Sequence, residues 1–375
     1  MVFMSNIRRT LAVLAALIAG ASFQAVAINL GGTNVPKDHF IVYLGIGHSN
    51  FAGRNVTQAD GQVSPYCWNY RWCPRYSSFP NTPWGNTWEP AIEHNGGDPV
   101  GYPDGYDGLT SRGTGGPSMP FLKKMAAAHP GYYIGIIENA ISKAGLRYKT
   151  YPTDPPDENT YWKQSNGVRY QEIITFAKAI QSEATLGGVL CMLGAFEVNQ
   201  NMQSALSTFA ADFKTMVATM RADLGMPNLP FLSGNYEDGA TGAYSTQSAA
   251  GKIAVTQLKL VVDVANYIDT ISSVGCAMLD EHHYNTSGQN TWTARVVATI
   301  DKHGWFPATI TANLMPRAFA QKHETPVAIY SVTGKRIGSY TAALGPALIN
   351  FSSLPHGVYL LRSGNNLKRE VDPVR

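Results

Sequence analysis

Short apolar runs alternate with amphipathic segments along most of the chain. The first apolar run, His39–Ile46, is continuous, which is typical of a strand buried on both faces of a sheet. Three later runs also predict buried strands: Tyr132–Ile137, Gly188–Leu193 and Leu229–Leu232. The segments between these runs have a helical period instead.

The clearest of the predicted helices ends at Leu224–Gly225. Its apolar face is formed by Leu206, Phe209, Phe213, Met216 and Met220. Further helices are predicted over Met119–Ala128, Tyr170–Ala184, Ala249–Ala265 and Ser287–His303. Strands that alternate with helices predict an α/β fold with a parallel sheet covered on both faces. Active sites in such folds lie at the carboxyl ends of the strands.

The stretch from Asn55 to Pro117 is rich in Trp, Pro and Gly and has no sustained period. Loops of this length inside a compact domain are usually functional. Most of its aromatic side chains are expected to pack the loop onto the body, while an exposed subset could stack on sugar rings. We take Trp68 and Trp72 as the candidate substrate-binding residues.

The two ends of the chain differ from this central part. Arg8 and Arg9, the apolar run Leu11–Ala21 and the small residues of Ala25–Ala27 are typical of a secretory signal peptide. An uncleaved anchor is the alternative, and no later stretch is apolar enough to cross a bilayer. We therefore expect a secreted or cell-surface protein without a membrane span.

The predicted domains are a signal peptide over residues 1–27, a large α/β domain over 28–306, a linker over 307–322 and a small all-β module over 323–375. The module is predicted from the hairpin Val327–Val332 and Arg336–Tyr340, followed by a final strand over Val358–Arg362.

Charge and cysteine content exclude some classes of function. The formal net charge is only +3, which argues against nucleic-acid binding. Export makes a disulfide between Cys67 and Cys73 plausible, while Cys191 and Cys276 lie in apolar runs and are expected to be buried thiols. Because no Cys/His cluster has zinc-ligand spacing, we predict no metal and no cofactor.

A candidate nucleophile directly follows the first predicted strand. Ser49 would lie at the rim of the sheet, where a base could take its proton. Asp280 and His283 are three positions apart, so both can face the same way, with His282 pointing elsewhere. Asp280 would then accept a hydrogen bond from one imidazole nitrogen of His283 while the other meets Ser49. The combination indicates a serine esterase.

An esterase also needs donors for the oxyanion that forms on the attacked carbonyl. The backbone N–H of Ser49 is the first candidate, and the loops Asn139–Leu146 and Gly194–Asn201 are natural sources of others. Asn50 is expected to brace the nucleophile turn rather than to react.

The segment Gly47–Arg54 (GHSNFAGR) resembles the Gly-Gln-Ser-Asn-Met-x-Gly block of SGNH hydrolases. The similarity is to the acetylxylan esterase and sialate O-acetylesterase type, carbohydrate esterase family six in particular. Asp280–Asn285 with Gly288–Gln289 resembles the closing Asp-x-x-His block of this family, and weaker similarity covers about residues 39 to 303. The resemblance implies a three-layer α/β/α fold, a Ser49–His283–Asp280 triad and removal of acetyl groups from carbohydrate.

Three blocks depart from the family pattern. His48 replaces a Gln, and Ser142 and Lys143 replace paired glycines, although the backbone N–H of Lys143 remains a candidate oxyanion donor. The usual Gln-Gly-Glu block appears as Leu193–Asn199 (LGAFEVN), so its amide donor is displaced or lost. We take Asn199 as its replacement.

The C-terminal module resembles sorting domains of the type nine secretion system through Ile329–Gly334 and Leu354–Leu361. Secretion machinery is therefore a possible partner, with a small carbohydrate-binding or packing module as the alternative.

Together these features predict a secreted serine esterase that deacetylates a polysaccharide such as acetylated xylan. Two alternatives remain close: an esterase for O-acetyl sialate or acetylated pectin, and a non-catalytic carbohydrate-binding protein on an esterase scaffold. A lipase-like esterase would prefer long acyl chains, and nothing in the sequence points to one.

Overall fold

A computed structural model of the chain describes residues 27–52, 64–71, 87–91, 116–140, 144–146, 162, 167–234, 236 and 239–307, and four strands within residues 325–371. Several sequence predictions fall outside these described residues. They are residues 1–26 of the signal peptide, 308–322 of the linker, Trp72, Cys73 and Lys143.

The larger body is built on a seven-stranded sheet. Its strands are β3 (Phe40–Gly47), β4 (Cys67–Arg71), β5 (Thr87–Pro90), β6 (Tyr133–Ala140), β7 (Thr185–Met192), β8 (Phe231–Gly234) and β9 (Ile268–Ile271), preceded by the hairpin of β1 (Ala27–Leu30) and β2 (Thr33–Pro36). The strand order is β5-β4-β6-β3-β7-β8-β9, and every pairing is parallel except that of β4 with β5. The first predicted strand, β3, is therefore central.

Eight α-helices are described in these ranges. They are α1 (Ser49–Ala52), α2 (Ser118–Ala128), α3 (Val168–Ile180), α4 (Ala195–Asn199), α5 (Gln203–Ser207), α6 (Phe209–Leu224), α7 (Ala249–Val261) and α8 (Thr286–His303). The last one begins where the Asn285 side chain accepts a hydrogen bond from Gly288 N, and it ends at Gly304 in the left-handed conformation. None of the helices in the described part of the chain is long and apolar enough to cross a bilayer.

Alternate residues of β3 point into two separate cores. Val42 and Leu44 pack with residues of α3, α6 and α7 on one face of the sheet. Ile41 and Tyr43 pack with residues of α2 and α8 on the other face. Because both faces are covered, β3 is apolar at every position, and the prediction of an α/β sandwich is confirmed.

The structure differs from the sequence prediction in three places. The irregular stretch before residue 117 contributes β4 and β5, and β9 was not predicted because only its two end residues are buried. The predicted amphipathic helix is divided between α5 and α6. At the break, Thr208 Oγ1 donates to Asp212 Oδ2 at 2.9 Å, and Thr208 leaves the helical conformation.

The C-terminal strands form a four-stranded antiparallel sheet of their own. They are β10 (Thr325–Ser331), β11 (Arg336–Ala342), β12 (Val358–Ser363) and β13 (Asn366–Val371), in the order β11-β10-β12-β13. The predicted hairpin is β10 with β11. The strand predicted as the last one is followed by β13.

Cys191 and Cys276 are buried thiols, as predicted. Cys67 is also a buried thiol, and its suggested partner Cys73 lies outside the described residues. Burial raises the pKa of the Cys67 thiol, which makes it unreactive.

Candidate active site

The turn after β3 is shaped by Gly47, whose φ of +146° is unfavourable for residues with a side chain. A Cβ at Gly47 would also run into the carbonyl oxygen of Met192. The next peptide N–H, that of His48, donates to the same Met192 oxygen at 3.0 Å. This close approach to β7 ends the strand and places Ser49 as the first residue of α1.

Ser49, His283 and Asp280 form one hydrogen-bonded chain. Ser49 Oγ lies 2.7 Å from His283 Nε2, and His283 Nδ1 lies 2.7 Å from Asp280 Oδ2. Ser49 and His283 are each only 5% exposed. In this geometry the imidazole can take the serine proton while the carboxylate orients the ring and stabilises its cation.

The carboxylate of Asp280 is kept ionised by the loop that follows it. Partial burial acts to raise the pKa of Asp280, but hydrogen bonds from His282 and His283 outweigh it and lower the pKa to about 2. The backbone N–H groups of these two residues donate to Oδ1 at 3.0 and 2.9 Å. Asp280 is therefore a permanent anion at neutral pH.

Asn50 bridges the nucleophile turn to the histidine loop. Its Nδ2 donates to the carbonyl oxygen of His282 at 2.7 Å, and its Oδ1 accepts from Tyr284 N at 2.9 Å. These two backbone groups flank His283. The predicted bracing contact of Asn50 is thus present, and it connects the two ends of the triad.

Two further histidines surround His283. The ring of His282 stacks on Tyr244 with centroids 3.5 Å apart, and it lies 3.7 Å from the ring of His283. His48 is 3% exposed. Burial and, to a lesser degree, the nearby His282 and His283 lower the pKa of His48 to about 3.

Asp280, His282 and His283 also bring metal-ligating atoms within 4.8 Å of one another. However, both ring nitrogens of His283 already have partners, Asp280 on one side and Ser49 on the other. The geometry of these residues therefore fits a catalytic triad better than a metal centre.

The segment Leu193–Asn199, which departs from the family's Gln-Gly-Glu block, forms α4 directly after Gly194, whose φ is +111°. Glu197, in the middle of α4, is 1% exposed, and its Oε1 accepts a hydrogen bond from Leu146 N at 2.5 Å. Glu197 therefore connects α4 to Leu146 in the loop Asn139–Leu146. Asn199 is half-buried, and its Oδ1 accepts from Gln200 Nε2 at 2.7 Å. Lys143, the other candidate donor, lies outside the described residues.

Sequence reasoning missed a buried polar network at the end of β6. Arg169 is fully buried, and its Nη1 donates to Asn139 Oδ1 at 3.0 Å and to Glu172 Oε2 at 3.3 Å. Asn139 in turn donates to the carbonyl oxygen of Arg169 at 3.1 Å. The network fixes the carboxyl end of β6, where the loop Asn139–Leu146 begins. Its only sequence signal is an Arg and a Glu three positions apart on α3.

Trp68 does not have the predicted role. Its side chain is 4% exposed and belongs to a hydrophobic core, and its Nε1 donates to the carbonyl oxygen of Pro65 at 3.1 Å. A ring enclosed in this way cannot stack on a sugar, so the prediction for Trp68 as a substrate-binding residue is wrong. The reason is that β4 carries it into the sheet instead of leaving it in a loop.

Several solved structures are similar to this chain. The structure of NanS shares 16% identity over 71% of this chain and 97% of its own, with a TM-score of 0.52. A protein from Arabidopsis thaliana shares 14% identity over 70% of this chain and 98% of its own, with a TM-score of 0.49. A carbohydrate acetylesterase from Xanthomonas citri shares 14% identity over 72% of this chain and 57% of its own, with a TM-score of 0.48. The likeness to NanS supports the fold.

No curated protein matches the chain. The family model for "carbohydrate esterase, sialic acid-specific acetylesterase" matches residues 39–301, which cover the whole seven-stranded sheet and all three triad residues. The chain belongs to this carbohydrate esterase family and is a carbohydrate O-acetylesterase.

Proposed function

We propose that the protein is a secreted serine esterase that removes O-acetyl groups from polysaccharide, with acetylated xylan as its substrate. The observation that carries this proposal is the continuous hydrogen-bonded chain from Ser49 through His283 to Asp280. It lies at the carboxyl end of the central strand, where α/β folds place their active sites.

In the proposed reaction, His283 Nε2 takes the hydroxyl proton of Ser49 as its Oγ bonds to the acetyl carbonyl carbon. The bond between that carbon and the sugar oxygen then breaks, and the sugar oxygen takes the proton from His283. The product on the enzyme is acetyl-Ser49. Water repeats the sequence, giving its proton to His283, and acetate leaves as Ser49 regains a proton.

The oxyanion formed in each half-reaction needs preorganised donors. We propose the backbone N–H of Ser49, the backbone N–H of Lys143 and the side chain of Asn199. Each donor in such a site is worth roughly 3–4 kcal/mol of transition-state stabilisation. Glu197 supports this arrangement indirectly, since it holds the N–H of Leu146 in the loop that also contains Lys143.

The proposed function is tested by acetate release from acetylated xylan. We expect wild-type activity, and a loss of at least about 10⁴-fold in kcat for Ser49→Ala and for His283→Ala. His303→Ala is a matched control, because His303 is also hydrogen-bonded to a carboxylate, that of Asp269 at 2.8 Å, but lies outside the triad. Binding of the glycan without any acetate release would instead support a non-catalytic carbohydrate-binding protein.

A second candidate substrate is O-acetylated sialate, which the description of the matching family favours. Acetylated pectin is a further alternative, and a lipase-like enzyme would prefer long-chain esters. Comparing kcat/KM on acetylated xylan, O-acetyl sialate, acetylated pectin and a long-chain ester separates these possibilities. A preference for sialate would overturn the xylan assignment while leaving the reaction class intact.

Export is also part of the proposal. We expect residues 1–27 to be removed as a signal peptide and residues 323–375 to engage secretion machinery. Mass spectrometry of the exported protein should give a new N-terminus at Ile28. Deletion of residues 323–375 should leave the protein inside the producing cell.

A further inference from the structure

His48 occupies the N-cap position of the helix that carries the nucleophile. Its carbonyl oxygen accepts hydrogen bonds from Phe51 N at 2.9 Å and from Ala52 N at 3.1 Å. Its side chain also caps the helix, since Nδ1 accepts from Asn50 N at 3.3 Å. Ser, Thr, Asp and Asn usually fill this role with an oxygen, whereas here an imidazole nitrogen does so.

The cap determines the protonation state of the ring. A backbone N–H can only donate, so Nδ1 of His48 must be unprotonated to accept from Asn50, and the ring proton lies on Nε2. A protonated imidazole would lose this hydrogen bond. Among the described residues, His282 and His283 are the titratable groups that act on the ring, and Asp280 is paired with His283. Burial together with the two histidines keeps His48 neutral.

The capped residue is the one that holds the catalytic histidine. The backbone N–H of Asn50 is fixed by His48, and its side chain contacts the His282 carbonyl and the Tyr284 N–H. A continuous path of hydrogen bonds therefore runs from His48 to both neighbours of His283 along the chain. His283 itself lies 2.7 Å from Ser49.

We propose that His48 is a positioning residue, whose neutral imidazole caps the nucleophile turn and, through Asn50, holds His283 in reach of Ser49. The inference rests on the proposed function, since it assigns a role in the same reaction. A neutral ring is needed for a second reason, because a cation here would oppose the charge that forms on His283 during the reaction.

The test compares His48→Leu, which removes the acceptor, with His48→Gln, which keeps one. With 4-nitrophenyl acetate as substrate, we expect His48→Leu to lower kcat by about 10- to 100-fold with KM within about twofold, because a displaced catalytic group slows chemistry more than binding. His48→Gln should restore kcat to within about threefold of wild type. His39→Leu, the same change directly before the first residue of β3, is the control and should match wild type.

A double-mutant cycle tests the path through Asn50. Asn50→Ala removes the contacts to the histidine loop, so His48→Leu combined with Asn50→Ala should lose no more than about threefold beyond the worse single variant. Fully multiplicative losses would overturn the proposal. If His48→Leu does not fold, as judged by circular dichroism, His48→Ala takes its place in the cycle.

The pH profile distinguishes positioning from a direct ionisation of His48. We expect the acid limb of the pH profile of kcat/KM to be the same for wild type and His48→Gln. The reason is that this limb reports protonation of the general base His283 and not of His48. A shift of that limb in His48→Gln would contradict a permanently neutral ring.

Covalent labelling of Ser49 by diisopropyl fluorophosphate separates this inference from the proposed function. The reagent needs an activated serine but no sugar recognition. If the wild type is labelled but releases no acetate from any glycan, the proposed function fails, and the His48 variants are then compared by labelling rate. If the wild type does both and His48→Leu equals it, only the inference fails. A folded wild type that is not labelled overturns both.

Discussion

Asp280 acts on His283 through two kinds of hydrogen bond. Its Oδ2 meets the imidazole ring, while its Oδ1 accepts two backbone N–H groups from its own loop. The second set does not take part in proton transfer. It fixes the direction of the carboxylate toward the imidazole ring.

Asp280→Asn should leave the fold intact and lower kcat by about 10³- to 10⁴-fold, because an amide stabilises neither the required tautomer nor the imidazolium. Steady-state kinetics on acetylated xylan would measure the loss. A variant with near wild-type kcat would show that another group orients His283.

The same carboxylate predicts a pH dependence of stability. The folded-state pKa of Asp280 is lowered from 3.8 to about 2, so the anion stabilises the fold above the unfolded value, and that contribution disappears as the pH falls through this interval. Urea unfolding of wild type and Asp280→Asn should therefore converge as the pH is lowered from 5 to 2. A constant difference between the two proteins would contradict this account.

For Glu138 we predict the opposite dependence of stability on pH. Burial, only partly offset by a short hydrogen bond from Ser118 Oγ, raises the pKa of Glu138 from 4.5 to about 7. Because the folded state holds the proton more tightly than the unfolded state, stability should fall as the pH rises from 4.5 to about 7. Glu138→Gln should remove this loss and gain roughly 1–3 kcal/mol over wild type at pH 8 relative to pH 5, measured by urea unfolding.

The sharp turn between β3 and α1 is the critical feature at the scale of elements. Gly47 allows β3 to pass directly alongside Met192 of β7, so the nucleophile begins a helix at the carboxyl end of the central strand. On the other side of the site, the histidine loop ends at Asn285, whose side chain caps α8. Both halves of the triad thus lie at helix starts, which limits how far either one can move.

Gly47→Ala should therefore damage both fold and activity. We expect a cost of about 1–3 kcal/mol in unfolding free energy and about a 100-fold loss of kcat, because the backbone must shift away from Met192. Gly304→Ala is the matched control. Gly304 also has a positive φ, +63°, but a Cβ there meets nothing within 4 Å. It should lose about 1 kcal/mol without losing activity, as shown by thermal unfolding and acetate release.

At the scale of the whole molecule, the seven-stranded sheet and the three triad residues lie within residues 40–283. Among the described strands, those of the C-terminal sheet pair only with one another and not with the seven-stranded sheet. We therefore predict that a chain ending at residue 306 folds and keeps kcat within about twofold of the full chain, as independent domains generally do. Loss of cooperative unfolding in the shortened chain would show that the C-terminal strands support the large domain.

Local sequence patterns were sufficient for the fold class and for three catalytic candidates. The continuous apolar character of β3 follows from burial on both faces, and the helical period of α6 follows from its single buried face. Ser49 was found because it follows a strand, and Asp280 and His283 because they are neighbours along the chain. Each of these signals lies within a few positions of sequence.

Only the tertiary structure decided which residues support that chemistry. Ser49 and His283 are 234 positions apart in the sequence. The contacts of Asn50 with the histidine loop join residues that are about as far apart in the sequence. Trp68 is of a residue type that can stack on sugar rings, but β4 carries its side chain into the hydrophobic core. His48 has no distinguishing local signal, since its role depends on the direction of one backbone N–H. Periodicity and spacing report local burial, whereas a hydrogen-bond partner is chosen by the packing of elements distant in sequence.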